Sequence, residues 1–385
     1  MRPSFPLSPS HRVYAAFALY AFAMGNIFPR IGDIQLAMDV DKTSLGFGLI
    51  GTPLGTLASI TFAAPFLERI GHRMVLLLGI PLVAIFLAIA VHAPSPPILF
   101  CLLFPVGFVI GCIEVIVNIE ADRTENAVGF RIMNRCHAFW SIGFFAAGFF
   151  GAWMASLGMS PQLHLSIVVP LSLIGVWLTL TNFVPATKRL GESAEKTPHF
   201  VLPTLVILLL FGVTASAMLL EGASMDWSAI YMRDSFAAGP FLAGIAVATF
   251  AVSQASARFF ADTFVEKYSP VTFARYLLMI LLVGCLATYF SVSPIISLIG
   301  FALMGIGTSA IFPLAISAAA QNVERPAAIN VASLVQLAFT MFLLGPPFLG
   351  FVADSWGIRA AFGVAIPLVI LSLLTSGSLV NRVKK

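Results

Sequence analysis

Gly107-Phe108-Val109-Ile110-Gly111-Cys112-Ile113-Glu114-Val115-Ile116-Val117-Asn118-Ile119-Glu120 reads as part of a membrane span, yet it carries a carboxylate and an amide four residues apart. At 3.6 residues per turn, Glu114 and Asn118 share one helix face. An ionisable residue in hydrocarbon is costly enough that it faces a bundle interior or a water-filled cavity. The run therefore predicts a helix inside a helical bundle, with Glu114 carrying a proton and Asn118 binding a polar solute. The alternative is an interhelical hydrogen-bond pair that only holds helices together.

Composition extends this reading to the whole chain. Of 385 residues, 59% are hydrophobic and only 10% charged. A soluble domain carries about 25% charged residues, so a polytopic membrane protein in contact with a lipid bilayer is expected. The net charge of +4 does not point to nucleic acid, because the positive residues sit in short loops where membrane topology explains them. Cys101, Cys112, Cys136 and Cys285 all fall in apolar stretches and read as small core residues. No metal-ligand spacing and no cofactor motif occurs, so neither is expected. The apolar stretch after Ser10 continues into polar sequence without a cleavage site, which predicts an uncleaved first helix.

Segments long enough to cross a ~30 Å hydrocarbon core recur twelve times, at roughly 12–36, 43–67, 74–93, 96–120, 131–157, 164–184, 201–232, 238–265, 271–291, 294–319, 327–353 and 358–380. The one long polar segment, Pro185 to His199, divides them. The expectation is an all-α membrane protein, with a six-helix bundle over 1–184, a cytoplasmic linker over 185–200 and a second six-helix bundle over 201–385. With both termini inside, only Arg30, Lys42, Arg233 and Arg359 of the 21 Lys and Arg lie outside. The opposite topology reverses that bias, so both ends are expected to be cytoplasmic.

The two halves also read as copies. Glu68-Arg69-Ile70-Gly71-His72-Arg73 closes the second helix, and Glu266-Lys267-Tyr268 closes the eighth 198 residues later. Gly107 and Gly305 stand at the same separation, and Gly25 and Gly222 at 197. Gly350-Phe351-Val352-Ala353-Asp354-Ser355-Trp356-Gly357-Ile358-Arg359 follows the same Gly-x-x-x-acid-x-x-Gly-x-basic pattern, with Gly151 to Gly158 as a worn version. Nested repeats of this kind place a binding site between the halves near the midplane.

The Glu68-to-Arg73 loop resembles the signature of the major facilitator superfamily, usually Asp-Arg-x-Gly-Arg-Lys. Here Glu replaces Asp, and His72 replaces one basic residue. Glu114-x-x-x-Asn118 resembles the fourth helix of the fucose-permease branch, and Glu221-Gly222-Ala223-Ser224-Met225-Asp226-Trp227 is similar to the seventh helix of bacterial inner-membrane permeases near it. The resemblance implies two pseudo-symmetric six-helix bundles and proton-coupled sugar import. It also implies that Glu68 and Arg69 latch the halves on the cytoplasmic side, with Arg73 beside them as an anchor; the alternative is topology anchoring by positive charge alone.

The remaining candidates fill in the site. On antiparallel neighbours at 1.5 Å per residue, Glu114 and His137 reach one depth, about 9 Å in, so His137 is a candidate proton partner that titrates near neutrality. Its alternative is a packing histidine. Asn26, Asn134, Gln254 and Gln336 are polar residues inside spans and candidate solute ligands. Trp140 and Trp227 are candidate plates for a sugar face, although either could be an interfacial aromatic. Phe312, the offset partner of Glu114, joins the solute set; proton chemistry is thus expected in the first half only. Glu221 and Asp226 form an outer gate with Arg30 or Arg233, or cap a broken helix. Asp354 and Arg359 are gating candidates through the repeated loop pattern.

No His-Glu-x-x-His, Gly-x-Ser-x-Gly or Gly-x-x-x-x-Gly-Lys occurs, which argues against an enzyme or an ATP-driven pump. The expectation is a monomeric secondary transporter importing a small polar solute, first a sugar or sugar derivative, with protons. Proton-driven efflux and solute sensing without transport are the alternatives.

Overall fold

The computed structural model describes residues 7–187 and 201–380, except the side chains at positions 64, 65, 68, 134, 262, 266 and 328. Helices are the regular structure of the described residues, among which there is no strand. Among the described residues, eleven helices are long and apolar enough to cross a membrane. The remaining span, α1 (Pro9–Gly25), has 17 residues and continues through a 3₁₀ turn at Phe28–Arg30 into Ile31–Met38. In order, the others are α2 (Lys42–Phe62), α3 (His72–Ala90), α4 (Pro96–Val128), α5 (Met133–Ser156) and α6 (Pro161–Leu180). After the polar segment come α7 (Leu205–Asp226), α8 (Pro240–Lys267), α9 (Pro270–Tyr289), α10 (Pro294–Ala320), α11 (Ala327–Trp356) and α12 (Ile358–Leu379).

The chain forms two compact units. One is Met1–Ala194 with Gly239–Ala248; the other is Glu195–Ala238 with Thr249–Lys385. In the first, α1 packs on α5 and α6, and α3 on α4 and α6. In the second, α7 packs on α11 and α12, and α9 on α10 and α12. Adding six to each number of the first set gives the second, so the internal repeat is visible in the pairing.

Glycine explains part of that pairing. A Cβ at Gly107 would run into the Thr52 carbonyl, and one at Gly305 would run into the Phe250 carbonyl. These residues stand 198 positions apart and do the same work, letting α4 lie directly on α2 and α10 on α8.

Several spans are less regular than their hydropathy suggests. Proline lacks an N–H and its ring pushes away the carbonyl four residues back. Pro29 accordingly sits in the 3₁₀ turn that interrupts the first span. α10 breaks after Thr308 and resumes at Ile311, ahead of Pro313. α7 stops at Asp226, and a separate helix covers Ser228–Phe236, where one unbroken segment over 201–232 is predicted. α4 exceeds its predicted end at Glu120: its 33 residues span about 50 Å, and the surplus carries Asp122, Arg123 and Glu125 beyond the apolar run.

Candidate functional site

In the first unit, Glu114 is an acid within the α4 span. Its Oε2 accepts a hydrogen bond of 2.8 Å from the Tyr20 hydroxyl, which ties α4 to α1. The Trp140 ring of α5 stacks on Phe144 with ring centroids 5.3 Å apart. Tyr20 is buried, whereas Glu114 keeps accessible surface. A carboxylate held by a fixed donor, yet reachable, is the arrangement a proton carrier needs.

The predicted proton partner stands elsewhere. His137 sets its ring edge-on to Phe17 at 5.3 Å, and the partner of Glu114 is Tyr20, not His137. Register on neighbouring helices fixes depth but not azimuth. Asn118 does share the face of Glu114, yet its amide donates to the Glu114 backbone carbonyl at 2.8 Å within its own helix. Asn134 has its backbone at the start of α5, and its side chain lies outside those described.

Asn26 departs from the expectation of a solute ligand. It is fully buried; its Nδ2 donates to the Phe22 carbonyl at 2.7 Å, and its Oδ1 lies 3.0 Å from His164 Nε2 of α6. With both ends of the amide committed, Asn26 is an interhelical tie. Trp227 is also fully buried, so it offers no plate to a solute. Gln254 is buried and donates to Thr308 Oγ1 at 3.1 Å, joining α8 to α10. Gln336 accepts from the Val201 amide at 3.2 Å, and Phe312 is half-buried.

The outer-gate pairing is corrected as well. Arg30 binds Asp33 at 2.6 Å and the Met159 carbonyl at 2.8 Å, while Arg233 binds Asp234 at 2.7 Å. Glu221 pairs instead with Arg258 of α8, with Oε1 and Nη2 3.5 Å apart. Asp226 is half-buried. Arg359 lies over the Phe236 ring at 5.2 Å from its centroid, and Asp354 is exposed.

At the α2–α3 loop, Arg69 is exposed and Arg73 Nη2 donates to the Thr181 carbonyl at 2.6 Å; the Glu68 side chain lies outside those described. Glu120, buried at the far end of α4, is the hub here. It takes His72 Nδ1, the Ala186 amide at 2.9 Å, and the Arg123 guanidinium at 3.9 Å. His72, read as a stand-in for a basic loop residue, is a direct partner of that carboxylate. Among the described residues no cluster of His, Cys, Asp or Glu could hold a metal ion.

Sequence reasoning missed Tyr20, His164 and Arg258. Tyr20 is one aromatic in an aromatic-rich helix. His164 sits beside a loop, where polarity is unremarkable. Arg258 lies toward the end of its span, where topology already accounts for a positive charge.

Apolar spans in a repeated helix pairing define a polytopic helical membrane protein. The chain is similar to the uncharacterized transporter y4wD of Sinorhizobium fredii, at 29% identity over 92% of this chain and 94% of that one. It is also similar to an uncharacterized MFS-type transporter of Yersinia pestis, at 27% identity over 95% and 94%. Residues 209–383 match the Major Facilitator Superfamily model. The crystal structure of a D-xylose-proton symporter superposes with a TM-score of 0.72 over 97% of this chain and 96% of that one, at 11% identity, which shows a common fold. The second half of the chain thus matches the Major Facilitator Superfamily model, and the chain as a whole resembles proteins named as transporters, one of them as MFS-type.

Proposed function

We propose that this transporter imports a small polar solute, of sugar or sugar-derivative type, in symport with protons, and that Glu114 is the group protonated in each cycle. The observation that carries the reading is the Tyr20–Glu114 hydrogen bond at 2.8 Å on a carboxylate that remains accessible within a span. An intramembrane acid of this kind is a functional group before it is a structural one. A protein of the same fold is by its title a D-xylose-proton symporter, a precedent for coupling sugar to proton on this architecture.

In this reading a proton arriving at Glu114 removes a charge from the span, and Tyr20 holds the side chain in one position in both states. Protonation and solute binding together favour one of two conformations, and the coupling between them is the free energy that drives accumulation. Reconstituted protein should accumulate its solute under an inward proton gradient. Glu114→Gln should abolish that accumulation and spare counterflow exchange, which needs no net proton movement. Unaltered gradient-driven accumulation in Glu114→Gln rejects the proposal.

A further inference from the structure

Arg258 is a cation toward the end of the α8 span, Pro240–Ala261, and Glu221 is an acid within α7. Charges in spans are rare enough to demand an account. We propose that Arg258 is the anion subsite of this carrier, that Glu221 is its resident counter-ion when no solute is bound, and that the solute bears an acid group, as in a sugar acid. The inference deepens the reading of a small polar solute and rests on it.

The argument begins with Pro313. Having no N–H, it leaves the carbonyl of Ser309, four residues back, without its helical donor. Arg258 Nε fills that role at 2.9 Å. The bond fixes the guanidinium on the broken turn of α10, and the Gln254–Thr308 bond next to it holds the same two helices. The cation is therefore positioned by backbone, independently of Glu221.

Its pairing with Glu221 is loose by comparison. The single contact is 3.5 Å long, whereas an arginine–carboxylate fork closes at about 2.7–2.9 Å with two parallel bonds. The side chain of Arg258 is 28% exposed against 10% for Glu221. Of the pair, the cation is the more accessible partner. A pair serving only as glue would close its fork and hide both partners alike. Glu221 also has somewhere to go: Ser224 Oγ, one turn along the same face of α7, is buried without a hydrogen-bond partner. Once a solute carboxylate takes Arg258, that hydroxyl can donate to the displaced Glu221. A neutral sugar would gain little from a cation already neutralised; a carboxylate can form the fork that Glu221 does not.

The test is ligand titration of the purified full-length protein by thermal shift and intrinsic fluorescence, using D-glucose against D-glucuronate and D-galactose against D-galacturonate, with D-gluconate added. At least one acid should bind and its neutral partner should not. Arg258→Gln should weaken that acid about tenfold or more, the scale of a lost charged hydrogen bond. Glu221→Gln should tighten it severalfold by removing the internal competitor. Arg258→Lys guards against a folding artefact, because it should still prefer acid over neutral sugar. Equal binding of sugars and acids, no binding of any acid, or an Arg258→Gln variant that binds acid as wild type does would each overturn the proposal. Gradient-driven uptake of a neutral sugar abolished by Glu114→Gln would overturn this inference and leave the proton scheme standing. Acid binding through Arg258 without proton-driven uptake would do the reverse.

Discussion

The Tyr20 hydroxyl donates to Glu114 Oε2 across 2.8 Å, so a buried phenol of α1 holds an accessible acid of α4. The pair lies within one unit and joins two of its helices. Tyr20→Phe removes the donor and leaves the ring. Hydrogen bonds to charged groups contribute about 1.5–3 kcal/mol, so gradient-driven uptake should fall about tenfold or more. Folded yield and helical content should stay close to wild type, as checked by size exclusion and circular dichroism.

The Asn26–His164 contact at 3.0 Å predicts the opposite pattern. Asn26→Ala leaves a buried imidazole nitrogen without its partner, a loss of about 1–3 kcal/mol. The melting temperature should drop while the order of preference among solutes is unchanged. A switch in solute preference would restore Asn26 to the binding site.

Glu120 concentrates interactions from His72, Arg123 and the Ala186 amide in a site with 1% of its surface exposed. Removing one member of a buried charge cluster strands the others and typically costs about 3–5 kcal/mol. Glu120→Ala should therefore be among the most destabilising single changes in the first unit. Arg69→Ala, at an exposed position, should melt close to wild type.

Asp41 caps the start of α2 by accepting from the Ser44 amide at 2.6 Å, and these hydrogen bonds hold its carboxyl below the ordinary 3.8. A lowered folded value means that the stabilisation is present above about pH 4 and is lost as pH falls through that folded value. Asp41→Ala should cost about 1 kcal/mol at neutral pH and progressively less on acidification, followed by thermal melts between pH 7 and pH 3.

Much of the architecture was legible because membranes impose a long-range rule: uninterrupted apolar length reports helices, and the 198-residue separation of Gly107 and Gly305 reports their repetition. Glu114 was legible for the same reason, as an acid where acids are costly. Its partner was not. Depth along a helix follows from residue count, which made His137 a reasonable choice, but azimuth follows from packing, which turned Tyr20 toward the acid instead. Glu221 was sought near Arg30 and Arg233 by proximity to one end of its span. The actual partner, Arg258, is placed by the Ser309 carbonyl that Pro313 frees, a relation between α8 and α10 that no local pattern records.

The most direct test of proton coupling at Glu114 is proton movement itself. Proteoliposomes loaded with a pH-sensitive dye are challenged with D-xylose, D-glucose and D-glucuronate, comparing wild type with Glu114→Gln. The account predicts solute-evoked internal acidification in wild type with at least one of these, and none in the variant, which still exchanges that solute across the membrane. Equal acidification in both proteins would contradict it.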